Sequence, residues 1–296
     1  MALVGRLISG ITAASFGTAF AYIADVAPPE KRAASFGLVG AAFGLGFVLG
    51  PAMGGILGQL DPRLPFWVAG VLAIVNAAYG YFILPESLPK ERRAPFAWRK
   101  ANPVGSLVLL RSHPELSGLA VSNFLMQFAH VVLPSVTVLY MSYRYHWTEL
   151  QVGLALAGVG VCSMIVQGGL IKPVVARLGE RRALALGLAF GALGFAIYAL
   201  APTGKLFLVG IPVMALWGFA GPSAQSLMTR RVSPSEQGQL QGANSSLTAI
   251  AGIFGPIAFT NVFSALIGPL PGAPFLLAAA LMLASCAIAW AATRPR

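Results

Sequence analysis

Charge is scarce in this sequence, and acid is the scarcest charge of all. Only 10% of the 296 residues are Asp, Glu, Lys or Arg, where about 25% is usual in a soluble domain. A water-facing surface on a chain of this length needs many more, so a water-soluble globule is excluded and most of the exterior must face lipid. Cysteine is rare too: Cys162 and Cys286 lie far apart in apolar runs, away from His or Cys neighbours, which excludes a disulfide framework and a zinc site. His113, His130 and His146 are scattered, and no carboxylate cluster or nucleophile–base pair accompanies them, which argues against a membrane-embedded enzyme. Gly204-Lys205 lacks the preceding glycine and the following hydroxyl of an ATP-binding loop. No cofactor, metal or ATP is expected.

Apolar length is what the sequence has in abundance, with 57% hydrophobic residues. A hydrocarbon core of roughly 30 Å needs about 20 apolar residues of helix. Nine runs meet that length without Asp, Glu or Lys: 3–24, 33–60, 66–84, 116–142, 150–171, 183–201, 206–228, 242–267 and 273–293. Only the first contains a charge, Arg6. These runs are continuously apolar and far longer than the roughly 10 alternating residues of a barrel strand, so the expected fold is an all-α polytopic membrane protein of nine transmembrane helices. The last two form one uncharged stretch, divided at Gly268-Pro269-Leu270-Pro271-Gly272, where successive helix breakers force a turn. The first begins at Leu3 without a basic leader and ends at Tyr22-Ile23-Ala24-Asp25 without a small-residue cleavage site, so it reads as a span, not a signal peptide.

A net charge of +11 on a soluble protein would suggest nucleic acid, but here the basic residues sit in short clusters between uncharged stretches. That placement reads as membrane topology, and no nucleic-acid partner is expected. Sixteen Lys and Arg fall in alternate connections on one side, while Arg63, Arg144 and Lys205 fall on the other. Basic loops stay in the cytoplasm, which puts the C-terminus inside and the N-terminus of this chain outside. The connection 85–115 carries Lys90, Arg92, Arg93, Arg99, Lys100, Arg111 and five prolines. It reads as an exposed cytoplasmic linker between residues 1–84, with three spans, and residues 116–296, with six.

Polar groups within the spans are the candidate functional residues. Arg6 would cost roughly 2.5 to 3.5 kcal/mol at a bilayer centre; it lies one turn from the outer end, so it either snorkels to the interface or serves a function. Asn123, Gln127 and His130 share one face of the fourth span at i, i+4 and i+7, and Pro134 continues the stripe. This face is either interhelical glue or one wall of a substrate cavity, and His130 is in addition a candidate for proton exchange, because imidazole is the side chain whose ordinary range lies near neutrality. Asn76, Gln167, and Ser223 with Gln225 after Pro222 are further candidates, each with packing as the alternative. Asn244, Ser245, Ser246 and Thr248 begin the eighth span at its inner end. In the second span Gly40, Gly44, Gly46, Gly50, Gly54, Gly55 and Gly58 supply spacings that let helices approach closely, and Pro51 should bend the helix.

At an offset of 205 residues the chain aligns with itself: Val4-Gly5 with Val209-Gly210, Pro29 with Pro234, Gly37 with Gly242, and Gly50-Pro51 with Gly255-Pro256. Such a parallel repeat relates the two halves of one large transporter class. Several blocks carry a closer likeness. They are Gly5-Arg6-Leu7-Ile8-Ser9-Gly10-Ile11-Thr12, Gly46-Phe47-Val48-Leu49-Gly50-Pro51-Ala52-Met53-Gly54-Gly55, Pro85-Glu86-Ser87, Leu178-Gly179-Glu180-Arg181-Arg182-Ala183 and Gln237-Gly238-Gln239-Leu240-Gln241-Gly242. In this order the sequence resembles the drug:proton antiporters of the major facilitator superfamily, in particular the tetracycline-resistance efflux proteins.

The resemblance implies a twelve-helix (6+6) fold of which helices four to twelve are present here and the first three absent. It makes residues 1–84 the C-terminal half of the N-terminal bundle and 116–296 a C-terminal six-helix bundle. Arg6 then matches an arginine associated with proton coupling, Thr12 joins the cavity candidates, and Gly46, Gly50, Pro51, Gly54 and Gly55 form an antiporter motif that seals against proton leak. Asp25, with Arg177, Arg181 and Arg182 of a degenerate second copy of the loop motif, would belong to the cytoplasmic gate. The implied partners are protons and a small molecule, and the implied location is a bacterial cytoplasmic membrane. Tetracycline exporters have an acidic residue in helix nine, where this sequence has Gly191. The function expected is proton-coupled efflux of a small amphipathic drug-like compound. The alternatives are a non-transporting membrane fragment and an exporter of another small metabolite.

Overall fold

The computed structural model describes residues 15–61, 63–88 and 114–294. Every regular element among them is a helix: α1 (Ser15–Val26), α2 (Arg32–Leu60), α3 (Leu64–Phe82), α4 (Pro114–His130), α5 (Val132–Tyr145), α6 (Glu149–Ile165), α7 (Ile171–Leu200), α8 (Gly204–Ala215), α9 (Ala220–Thr229), α10 (Gln237–Leu266) and α11 (Ala273–Ala292). A π-helical stretch, Val166–Leu170, joins α6 to α7, and a 3-10 stretch, Leu216–Phe219, joins α8 to α9. Six helical stretches among the described residues are long and apolar enough to cross a membrane, including Leu116–Tyr145, Gln151–Leu200 and Gly204–Thr229. Arg6, Thr12 and most of the 85–115 connection lie outside the described residues.

Glycine and proline set the breaks. The five-residue run at 268–272 separates α10 from α11 as its helix breakers predict. Pro134 cannot donate to the carbonyl of His130, and the long helix divides there into α4 and α5. The stretch 172–182, read from its charges as a loop, is instead helical on both sides of one residue. Gly179, at φ 76° and ψ 161°, makes the whole turn within α7. That backbone region is essentially confined to glycine, which explains why a single residue suffices.

The core lies among α4 to α11. Tyr140, Phe195, Phe207 and Phe275 are fully buried there. Tyr198 stacks on Phe207 at 4.2 Å, and the Tyr140 hydroxyl donates to the Tyr198 carbonyl at 2.9 Å. Ser122 and Ser285 bond hydroxyl to hydroxyl at 2.8 Å, tying α4 to α11. Glycines bring backbones together: a Cβ at Gly187 would stand 2.6 Å from the Ala220 nitrogen, and one at Gly194 would stand 2.9 Å from Met214. Against this body α1 packs on α10, and α2 packs on α6, the π stretch, α7 and α9. The third helix, α3, packs chiefly on α2 and has no buried residue.

Candidate functional site

Three irregular stretches of backbone meet near the middle of the long helices. His130 ends α4, Trp217 lies in the 3-10 stretch, and their rings face each other with centroids 4.8 Å apart. Gln167 lies in the π stretch, its side chain directly over Gly40 of α2, while a Cβ at neighbouring Gly218 would come 3.2 Å from its Cγ. In lipid, irregular backbone persists only where protein covers it or where it lines a polar space. Pro134 and Pro222 each remove a backbone donor beside their break, and Gly168-Gly169 sit in the π stretch.

The polar stripe of α4 is bonded to α10. Asn123 Nδ2 donates to Asn244 Oδ1 at 3.3 Å, Asn244 Nδ2 to Gln225 Oε1 at 3.1 Å, and Gln127 Nε2 to Thr248 Oγ1 at 3.1 Å. Asn244 and Thr248, read from sequence as the inner end of their span, thus face the α4 stripe one turn apart. Val121 is 48% exposed and nine residues before His130, half a turn round the helix, so Val121 faces outward and the open side of His130 faces inward.

The remaining sequence candidates divide. Ser223 and Gln225, two residues apart on α9, point to opposite sides. Ala220 packs on Gly187 of α7 and Ser226 bonds Glu180 of the same helix, so Ser223 between them belongs to the packed face, where it is fully buried. Gln225 belongs to the polar cluster. Asn76 is exposed on α3, and the structure does not bring it to the other candidates.

A second group of polar residues closes one end of the bundle. The buried Glu180 carboxylate accepts from Ser226 Oγ at 2.6 Å and from Arg230 at 2.8 Å. The same Arg230 donates to the Pro29 carbonyl at 2.6 Å, crossing from α9 to the α1–α2 connection. Ser87 donates to Asp25 at 2.9 Å, and a cavity of about 240 Å³ lies between, lined by Asp25, Arg32, Arg230 and Gln237 among others. Arg181 stacks over the Trp290 ring at 3.9 Å and donates to Thr293, whereas Arg177 and Arg182 are exposed. The structure therefore does not gather Asp25 with the three arginines named from sequence. It assembles Glu180, Ser226 and Arg230, which sequence reading missed. The signal was an acid within an otherwise basic stretch.

The glycines of α2 also divide. Gly37, Gly40 and Gly44 face the π stretch and α6, with a Cβ at Gly44 standing 3.6 Å from the Met164 nitrogen. No described atom lies within 4 Å of a Cβ at Gly46, Gly50 or Gly54, so the close packing expected of those three is not made among the described residues. The helical backbone of α2 runs through Pro51 and Gly55 to Leu60.

Comparison with known proteins places this geometry in context. The family model described as Major Facilitator Superfamily matches residues 1–256. The chain is similar to the class C tetracycline resistance protein of Escherichia coli, 36% identical over 94% of this chain and 70% of that protein. It is similar to the class G protein of Vibrio anguillarum, 34% identical over 95% and 71%. Among solved structures it is similar to the human organic anion transporter MFSD10 (TETRAN), with a TM-score of 0.86 and 25% identity over 97% of this chain and 70% of that one. The outward conformation of FucP, a Major Facilitator Superfamily transporter, shares the fold at a TM-score of 0.72 and 15% identity over 94% and 72%.

Proposed function

Because the chain belongs to the Major Facilitator Superfamily, we propose that it acts as a proton-coupled exporter of a small amphipathic compound and holds that compound at the mid-depth cluster of Asn123, Gln127, His130, Gln167, Trp217 and Gln225. The observation that carries this reading is the meeting of three broken helices around polar side chains in an otherwise apolar body. Discontinuous helices of this kind form the substrate sites of secondary transporters. Identity of 36% and 34% to tetracycline resistance proteins supports export of a drug-like compound.

In this reading residues 1–84 and 116–296 rock against each other about the α2–α6 contact, and 85–115 is their cytoplasmic linker. The membrane is the bacterial inner membrane, with the C-terminus of the chain inside and its N-terminus outside. Arg6 couples the cycle to protons, Thr12 lines the path, and the Gly46 to Gly55 motif limits leak. The closed charged end between Pro29 and Arg230 is the gate toward the cytoplasm. Alternating access of this kind binds a substrate without changing it, in keeping with a transporter and not an enzyme.

Inverted membrane vesicles from cells expressing the chain test the proposal. An imposed proton gradient, acidic inside, should drive accumulation of tetracycline or a similar fluorescent compound. A proton ionophore should abolish it, and Gln127→Ala with His130→Ala should reduce it at unchanged protein level. Accumulation that ignores both the gradient and the two substitutions would refute the proposal.

A further inference from the structure

We infer that Gln167, besides standing in the mid-depth cluster, is a pin that holds the two halves in the arrangement seen here, closed at the Pro29–Arg230 end; this rests on the halves moving against each other in transport. A Cβ at Gly40 of α2 would overlap the Gln167 carboxamide oxygen and stand 2.6 Å from its Cδ. The carboxamide therefore fills the space that a side chain at position 40 would take. On its way there it passes Gly218 of the 3-10 stretch, beside Trp217, where a Cβ would stand 3.2 Å from its Cγ and 3.8 Å from its Cδ. Gly40 belongs to residues 1–84 and Gly218 to residues 116–296. One side chain of the six-helix half is thus seated in a socket made by both halves.

The backbone beneath Gln167 is shaped to that contact. In the π stretch the Ile171 N–H donates to the Val166 carbonyl five residues back, a widened turn that interrupts regular helix and recurs at functional sites. Its surface lies against α2. A Cβ at Gly37 would stand 3.2 Å from the Gln167 carbonyl oxygen, and one at Gly168 would stand 3.6 Å from the Ala41 Cβ. Gly37, Gly40 and Ala41, within about one turn of α2, all meet this one stretch.

The seat also lies toward the closed end. Gly40 is eight residues into α2, about 12 Å along the axis from Arg32, and the connection just before Arg32 carries the Pro29 carbonyl that Arg230 bonds at 2.6 Å. The bond and the seated carboxamide hold the same end of the contact. Packed interfaces take discrete arrangements instead of sliding continuously, so seated and withdrawn are two states of this contact. A glutamine can pass between them by turning its own side chain.

The test uses the full chain in phosphatidylcholine nanodiscs, carrying Cys162→Ala, Cys286→Ala and one reporter, Ala33→Cys. Ala33 is fully buried and one turn from Gly37 on the same face of α2, so N-ethylmaleimide reaches it when that end parts. Gly40→Ala should speed labelling about tenfold, because the overpacking falls on the closed arrangement alone. Adding Gln167→Ala should bring the rate back toward that of the parent, since the new methyl then takes the place of the carboxamide. Gly44→Ala, whose Cβ would stand 3.6 Å from the Met164 nitrogen in ordinary contact, should leave the rate unchanged. Labelling of the parent that Gly40→Ala does not move, even with a lowered melting point, would reduce the contact to packing and overturn the pin alone. Faster labelling that Gln167→Ala fails to reverse would overturn it as well. No labelling of any variant below its melting point would overturn the parting of the halves, and this inference with it.

Discussion

Replacing Glu180 by alanine tests how the charged end is held. The carboxylate side chain is 7% exposed and has two donors of different character. Arg230 is 40% exposed, so its share falls in the surface range of about 0 to 1 kcal/mol and not the 3 to 5 of a fully buried pair. Ser226 has no exposed surface, and losing a charged acceptor strands its hydroxyl at about 1.5 to 3 kcal/mol. Glu180→Ala should therefore destabilise the fold by about 2 to 3 kcal/mol. Glu180→Gln, which keeps an acceptor, should lose less than half of that. The partners also differ in coupling. In double-mutant cycles Glu180 should couple to Ser226 by about 1 to 2 kcal/mol and to Arg230 by less than about 1. Reversible unfolding in mixed micelles of mild detergent and dodecyl sulfate, followed by tryptophan fluorescence, measures both. Stronger coupling to Arg230 than to Ser226, or additivity of Glu180→Ala with Ser226→Ala, would refute the reasoning.

Three further outcomes are expected. Gly44→Leu should force α2 off α6 at about 1 to 3 kcal/mol, while Gly50→Leu, with no described atom within 4 Å of its Cβ, should leave the melting point unchanged; equal losses would mean that something else covers Gly50. Gly179→Ala places a Cβ where φ is 76° and should lower stability by about 1 to 3 kcal/mol, whereas Gly153→Ala, with no described atom within 4 Å of its Cβ, should be neutral in the same melt. Ser285→Ala removes the α4–α11 hydroxyl pair and should lose about 0.6 kcal/mol by micellar unfolding; a loss above 2 would show that the pair does more than join two helices.

The helical class and the break at 268–272 were legible because each is written in local composition. Apolar runs declare their solvent, and Gly-Pro clusters declare their turns. The stripe of Asn123, Gln127 and His130 was legible because helical period alone puts the three on one face. Its partners were not, since Asn244 and Thr248 lie 121 residues further along the chain and their own positions suggested a helix end. The separation of Ser223 from Gln225 was available from the 100° step and was overlooked. Trp217 passed as one more apolar residue, and only the fold places it against His130 and Gly191. The Gly179 turn was hidden by the charges around it, which read as a solvated loop although the backbone continues as helix.

The uncovered state of α3 has its own consequence. Nineteen residues of helix reach about 28 Å at 1.5 Å per residue, close to one hydrocarbon thickness. With Phe66, Trp67, Ile74 and Phe82 all turned away from the other described residues, this helix offers large apolar side chains along its whole length. Among the described residues the other helices answer to several neighbours that fix their tilt, while α3 answers mainly to one and to the width of its bilayer. Thinner or thicker lipid will lean it before any other part of the protein shifts.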